Sequence, residues 1–277
     1  MVRKAAVAGY FYPGETKELK ALLDHFKAVA SQKEYPKVQD TSGIVSPHAG
    51  YVYSGMTAAY AHYLLSLLPP AETVVLLGPN HRGIGRRVAL SGAESWQTPL
   101  GLVPVDLESR EFLLSCSSAF AVDDLAHQFE HSIEVQIPFL QYFLPYEFSI
   151  LPISLLSQDL VTSRALGEAL FALSQKKRII LVASSDFSHY EQETVAKSKD
   201  AEAIARISAL DVEGFYRVLR EKDVSVCGPG GIAALMVYHA RRGGREGKLL
   251  HYTTSGEVTK DTHQVVGYAA MYFPLPE

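Results

Sequence analysis

The sequence has little cysteine, no long apolar run and no strong excess of charge of either sign. Only two cysteines, Cys116 and Cys227, occur among 277 residues, which excludes a disulfide framework and fits a reducing compartment. No segment approaches the roughly 18 uninterrupted apolar residues that a membrane-spanning helix requires. The N-terminal residues also lack the apolar centre of a signal peptide. We therefore expect a cytoplasmic protein without a membrane partner.

The charge balance argues against nucleic acid as a partner. Lysine and arginine together number 26 and aspartate and glutamate 30, for a net charge of -4 at pH 7. A protein that binds a phosphate backbone usually carries a basic surface, which this composition does not supply. The sequence also lacks the HExxH, P-loop and GxGxxG signatures, so its chemistry must be inferred from residues that are distant along the chain.

Short apolar segments alternate with helical patterns through most of the chain. Residues 87–91 and 101–105 could form a strand pair, Ser54 could open a helix, and a long helix over 193–220 could break near 211–214. Alternation of this kind predicts an α/β fold with a mixed, mostly parallel sheet and helices on both faces. The other strand candidates are residues 44–46, 73–77, 148–153, 178–183, 248–254 and 265–273.

Four polar side chains follow predicted strands at the point where each strand ends. His48 follows the first of these strands, His81 the second, and Asp186 and His189 follow RIILVAS. Ligands of open α/β sheets bind beyond the carboxyl ends of the strands. A single histidine in such a place is most often structural, but the joint pattern predicts one shared site.

Cys227 precedes a helical pattern that begins with Gly-Pro-Gly-Gly. Free N–H groups and the helix dipole at such a position favour a thiolate, which could join His48 and His81 as a three-ligand metal site. Asp186 and His189 could then orient the ligands or act as acid and base. The alternative reading of Cys227 is a small buried hydrophobic residue.

Two further segments leave alternatives open. In FEHSIEVQ, Glu130 and His131 could face the same cleft, or they could form a surface pair or helix cap; on a helix His131 would lie one turn from Glu134. In AGYVYSG, Tyr51 and Tyr53 could bind an aromatic substrate, or they could simply cover the edge of the sheet.

Five motifs in this order resemble those of the Memo family. They are SPHAGYVYSG, LGPNHRG, EHSIEVQIPFL, SSDFSHY and the CG before the last long helix. The family includes eukaryotic Memo and the microbial proteins called AmmeMemoRadiSam system protein B. It is similar in fold to the LigB-like class III extradiol dioxygenases. The resemblance runs from AGYFYPGE to the last strand, and so it implies a single Memo-like domain over residues 1–277.

The resemblance also implies roles for particular residues. His48, His81 and Cys227 match the metal-binding triad of the family, with iron or copper as the expected ion. Asp186 and His189 match its further site residues, and His189 lies near the position of the dioxygenase base. One departure is that this chain has CGPGGI where family members commonly have CGxxPI, and the thiol is retained.

Two functions follow as expectations. The first is a metal-dependent, dioxygenase-like oxidoreductase that acts on an unknown small molecule. The second is a non-catalytic adaptor that binds a peptide or a protein in the same cleft. The name of the microbial family also implies radical SAM and AMMECR1-like proteins as partners.

Overall fold

Strands and helices alternate along the chain in the computed structural model, which describes residues 1–276. The strands are β1 (Val2–Arg3), β2 (Thr41–Ser46), β3 (Thr73–Pro79), β4 (Val88–Leu90), β5 (Ser95–Thr98), β6 (Gly101–Pro104), β7 (Phe120–Val122), β8 (Ser149–Leu155), β9 (Ile179–Ser184), β10 (His189–Glu191), β11 (Lys248–Thr254) and β12 (Val265–Pro274). The α-helices are α1 (Thr16–Ser31), α2 (Tyr51–Ser66), α3 (Leu107–Cys116), α4 (Leu125–Gln128), α5 (Ile137–Phe143), α6 (Leu160–Ser174), α7 (Glu193–Ser208), α8 (Val212–Glu221), α9 (Pro229–Arg241) and α10 (Gly256–Thr259).

A large mixed sheet forms the centre of the fold. Its path runs β10-β12-β2-β9-β3-β8-β4-β7, and β11 also pairs with β12. The central strands β2, β9, β3 and β8 are parallel to one another. Strand β12 runs antiparallel to β2, and β4 runs antiparallel to β8. A smaller sheet has the order β1-β5-β6, and its residues Trp96 and Val103 pack in the same hydrophobic cluster as Val74 of β3.

Helices cover both faces of the large sheet, because its strands are apolar on both sides. Within β3, Val75 and Leu77 pack with α3, α6, α7, α8 and α9 in one hydrophobic cluster. The alternate residues Val74 and Leu76 pack with α2 and α5 in another. Strands buried on both faces read as continuous apolar runs, which confirms the predicted layered α/β architecture. No helix among residues 1–276 is long and apolar enough to cross a membrane.

Two local predictions were wrong. Helix α2 begins at Tyr51 rather than Ser54, and the Ser54 hydroxyl donates to the carbonyl of Ala49 at 3.0 Å instead of capping the helix. Strands β4 and β6 do not pair with each other. Strand β4 pairs with β7 and β8, whereas β6 pairs with β5 in the smaller sheet.

The predicted break in the long helix is confirmed, since the Asp211 side chain caps α8 by accepting from the N–H of Gly214.

The FEHSIEVQ segment does not form one continuous helix. Only a 3₁₀ turn at Glu134–Gln136 precedes α5, and Glu130 and His131 lie in the connection before it. Glu134 is fully buried and forms an ion pair with Arg3. Its carboxylate also accepts from the N–H groups of Ala6 and Val7, so it does not pair with His131 as a helical neighbour would.

Arg3 connects this ion pair to the segment that follows α4. Its guanidinium donates to the carbonyl of His127 at 2.8 Å and to the carbonyl of Glu130 at 2.9 Å. The same group stacks over Trp96, 4.2 Å from the ring centroid. Breaking a buried, hydrogen-bonded pair leaves a charge without compensation, so this cluster should fix the 127–134 segment strongly.

We predict that Glu134→Gln lowers the free energy of unfolding by about 3 kcal/mol. The substitution removes the charge that compensates Arg3 and turns an amide N–H toward a main-chain or guanidinium N–H, which can only donate. Urea unfolding followed by circular dichroism measures the change.

Glu213→Gln is the matched control, because Glu213 pairs with Arg164 on the surface with both side chains about half exposed. Exposed ion pairs contribute little to stability, so this variant should unfold nearly as the wild type does. Equal midpoints for the two variants would contradict the importance given to the buried pair.

Candidate metal centre

The carboxyl ends of three adjacent parallel strands deliver the predicted site residues to one place. Strand β9 lies between β2 and β3. His48 follows the end of β2 by two residues, Asp186 follows β9 by two and His81 follows β3 by two. Helix α9 packs against the same strands, and Cys227 lies just before its first residue. The predicted convergence of these side chains is therefore a feature of the fold.

The three predicted metal ligands lie within reach of one another. Candidate ligand atoms of His48, His81 and Cys227 all fall within 4.8 Å of each other. The Nε2 atom of His48 is 3.1 Å from the Cys227 sulfur. Metal–nitrogen bonds of about 2.0 Å and metal–sulfur bonds of about 2.3 Å place such ligand atoms roughly 3 to 4 Å apart. The residues present therefore fit a single transition-metal ion.

Glu130 fixes the orientation of His81. Its carboxylate accepts from the backbone N–H of His81 at 2.7 Å and from the ring Nδ1 at 2.9 Å. An ionised carboxylate only accepts, so Nδ1 of His81 carries a proton, and in the neutral ring Nε2 carries the lone pair. This arrangement is the carboxylate–histidine pair that commonly supports a metal ligand.

Two further hydrogen bonds from the main chain hold the Glu130 carboxylate in place. It also accepts from the N–H groups of His131 and Ser132, each at 2.9 Å. Burial alone would raise the pKa of Glu130, but the hydrogen bonds from His81 and Ser132 outweigh it and lower the pKa to about 2. His81, Glu130 and His131 also lie within 4.8 Å of each other, yet they form a hydrogen-bonded clamp. These hydrogen bonds give Glu130 a supporting role, and its predicted role in substrate binding stays a prediction.

His131 forms part of the wall of the cleft. Its ring stacks on His81 at 4.6 Å between centroids and contacts Phe11 at 4.4 Å. Burial lowers the pKa of His131 to about 4, so the ring is neutral near pH 7. A neutral imidazole beside an aromatic ring offers a flat, weakly polar surface to a ligand.

The environment of Cys227 differs from the prediction based on the helix terminus. Burial raises the pKa of the thiol, and the nearby Asp186 carboxyl raises it further. The N–H of Gly228, the first free donor of the helix, bonds to the Ser185 hydroxyl instead of the sulfur. The N–H of Asp186 donates to the sulfur at 3.1 Å, and the Ser185 hydroxyl lies 3.8 Å from it. A thiolate at this position therefore needs the positive charge of a bound cation.

Asp186 and His189 each make a hydrogen bond to the main chain near this cluster. The Asp186 carboxylate accepts from the backbone N–H of His48 at 2.7 Å, and burial raises its pKa to about 6. The Nδ1 of His189 lies 2.9 Å from the carbonyl of Ser225, which can only accept. Nδ1 of His189 thus carries a proton, and in the neutral ring Nε2 holds the lone pair.

A cleft of about 580 Å³ opens beside the cluster. Tyr53 lines it as predicted, but Tyr51 does not. Tyr51 is buried against Phe139, 4.6 Å between ring centroids, and its hydroxyl donates to the carbonyl of Val135. Its predicted role in substrate binding is therefore not supported by its position in the core. The residues that line the cleft include Phe11, Tyr53, His131, Asp186, His189, Tyr190 and Tyr268.

The sequence reasoning missed two buried polar residues behind the cluster. Ser184 is the last residue of β9, and its hydroxyl lies 3.0 Å from Nδ1 of His48. Gln136 is fully buried in the 3₁₀ turn and donates to the same hydroxyl at 2.8 Å. Both lie inside the motifs already described, and a polar residue within an otherwise apolar segment was the available signal.

Comparison with known proteins agrees with this architecture. A MEMO1 family protein of Nitrosopumilus maritimus is 44% identical over 278 residues, covering 99% of this chain and all of that protein. A MEMO1 family protein of Methanopyrus kandleri is 41% identical, covering 99% of each chain. A crystal structure of the Escherichia coli protein JW3007 is similar with a TM-score of 0.55, over 84% of this chain and 99% of that one. Its sequence identity of 16% shows a shared fold alone.

The family profile described as Memo-like protein matches residues 3–272, which is nearly the whole chain. The match and the two relatives cover the strands, the helices and the cluster of His48, His81 and Cys227 together. The chain therefore belongs to the Memo family.

Proposed function

We propose that this protein binds one iron or copper ion through His48, His81 and Cys227 and uses it to oxidise a small phenolic molecule with oxygen. The observation that carries the proposal is the cluster itself, in which the three ligand atoms lie within 4.8 Å of one another. The cluster lies beside a cleft of a size suited to a small molecule.

The set of ligands suits a redox-active ion. Two imidazoles and one thiolate are softer than the carboxylate-rich sets that hold magnesium or calcium, and they favour iron, copper or zinc. A bound iron or copper ion would supply the redox chemistry with oxygen. The protein contributes the fixed orientation of His81 through Glu130, and the N–H of Asp186 that supports the sulfur.

His189 is proposed as the base that takes a proton from the substrate hydroxyl. Its Nδ1 is engaged by the Ser225 carbonyl, so Nε2 is the nitrogen that can accept a proton in the cleft. Asp186 assists by holding the main chain of His48. Aromatic side chains in the wall, including Phe11 and Tyr268, would pack against a phenolic ring.

Exposed aromatic side chains support a second candidate, a binding module for peptides. Tyr10 is 90% exposed and Tyr190 is 74% exposed, and both line the open side of the cleft. Aromatic groups of this kind are common in protein-binding surfaces. Partnership with radical SAM or AMMECR1-like proteins would use such a surface, and this proposal rests on the family resemblance alone.

Peptide binding that persists in His48→Ala and Cys227→Ser variants would favour the binding module over the enzyme.

We predict that Cys227→Ser and His81→Ala each lower the metal content at least tenfold from a wild-type content of about one ion per chain. Each substitution removes one of three ligands and leaves too few donors for a stable site. Elemental analysis of protein loaded with ferrous or cuprous ion without oxygen, and purified without a histidine tag, measures the content.

Cys116→Ser is the matched control, because Cys116 is the other free cysteine and is exposed at the end of α3. Its metal content should equal that of the wild type. Wild-type content in Cys227→Ser would remove the proposed centre.

We predict that His189→Gln lowers the rate of oxygen uptake with a catechol substrate by about a hundredfold, the usual contribution of a general base. The metal content should stay unchanged, since His189 is not among the three ligands. An oxygen electrode and a panel of catechols provide the measurement.

His25→Gln, which alters an exposed histidine of α1, is the control and should keep the wild-type rate. A His189→Gln enzyme with wild-type oxygen uptake would exclude His189 as the base.

A further inference from the structure

A buried hydroxyl behind the cluster makes three short polar contacts. Ser184 is 1% exposed. Its oxygen lies 2.6 Å from the carbonyl of Ser132, 2.8 Å from the side-chain nitrogen of Gln136 and 3.0 Å from Nδ1 of His48. A hydroxyl offers one proton and two lone pairs, so these three contacts use its full capacity.

The direction of two of these bonds is fixed by their partners. The Ser132 carbonyl can only accept, so it receives the hydroxyl proton of Ser184. The Gln136 nitrogen also lies 2.9 Å from the carbonyl of Pro47. A rotated amide would place its oxygen against that carbonyl, so the NH₂ group must face both Pro47 and Ser184 and donates to each.

One lone pair of Ser184 remains for His48, so Nδ1 of His48 must be the donor. The proton on Nδ1 leaves a lone pair on Nε2, the atom that lies 3.1 Å from the Cys227 sulfur. We propose that Ser184 and Gln136 are positioning residues that lock His48 in its Nδ1–H tautomer and aim the Nε2 lone pair at the metal position. The part concerning metal rests on the proposed function, whereas the tautomer does not.

Gln136 also joins two strand ends that the site requires. One nitrogen bridges Pro47, which follows β2, and Ser184, which ends β9. The side chain is fully buried, so these bonds face no competition from bulk water. His81 reaches the same tautomer by a different route, through Glu130, so both imidazoles present Nε2.

The first test is a nitrogen-15 NMR spectrum of histidine-labelled, metal-free wild-type protein at neutral pH. Long-range proton–nitrogen correlations distinguish Nδ1–H from Nε2–H rings, and a His48→Gln sample assigns the signals. We expect one His48 tautomer with the proton on Nδ1. A His48 ring protonated at Nε2, or an even mixture of the two forms, would overturn the inference without any variant of Ser184.

The second test compares Ser184→Ala with Ser42→Ala. Ser42 is a fully buried serine on β2 whose hydroxyl lies 2.8 Å from Nδ1 of His239, so it loses the same type of bond away from the cluster. Cobalt(II) serves as the probe, because its visible absorption reports thiolate coordination. We expect Ser184→Ala to bind cobalt(II) about 10- to 100-fold more weakly and to mix the His48 tautomers, whereas Ser42→Ala does neither.

These measurements test the role of Ser184 and the proposed metal centre separately. Unchanged cobalt affinity together with an unchanged His48 tautomer in Ser184→Ala would overturn the role of Ser184. If Ser42→Ala weakened cobalt(II) binding equally, lost stability alone would explain the weaker binding. That result would also overturn the role of Ser184. Wild-type protein that binds no cobalt would refute the proposed metal centre, while the spectrum of the metal-free protein would still decide the tautomer.

Discussion

The structure depends on the parallel pairing of β2, β9 and β3. Because these strands run side by side in one direction, their last residues lie at one edge of the sheet. Each continues for only two residues before it delivers His48, Asp186 or His81. The hydrophobic effect that buries both faces of the sheet therefore also fixes the positions of these polar side chains. A change of register would move each of these three side chains, so the core and the cluster are specified together.

A second layer of polar contacts sets the chemistry within this frame. The Glu130 carboxylate clamps the loop that carries His81, and the Arg3–Glu134 pair holds the segment that carries Glu130. The cluster that results contains neutral groups, since burial lowers the pKa of His48 and raises that of Cys227. A cation would release the thiol proton and supply the charge that the cluster lacks.

Much of this arrangement could be predicted from the sequence. Continuous apolar runs predicted the parallel strands, and residues just past their ends predicted the convergence of His48, His81 and Asp186. The pattern could not predict the role of Glu130, because a polar pair in FEHSIEVQ reads equally well as a surface feature. It also left open whether Tyr51 lines the cleft, since sequence alone does not show which side of α2 faces the core. Ser184 and Gln136 escaped notice because hydrogen bonds between distant residues leave no local periodicity.

The central claim is that one ion lies among two imidazoles and one sulfur. Anomalous diffraction at the metal edge, from crystals loaded with ferrous or cuprous ion without oxygen, tests it most directly. We expect one peak bonded to Nε2 of His48, Nε2 of His81 and the sulfur of Cys227. A peak bonded to Glu130 and His131, or an ion bound elsewhere on the protein, would contradict it.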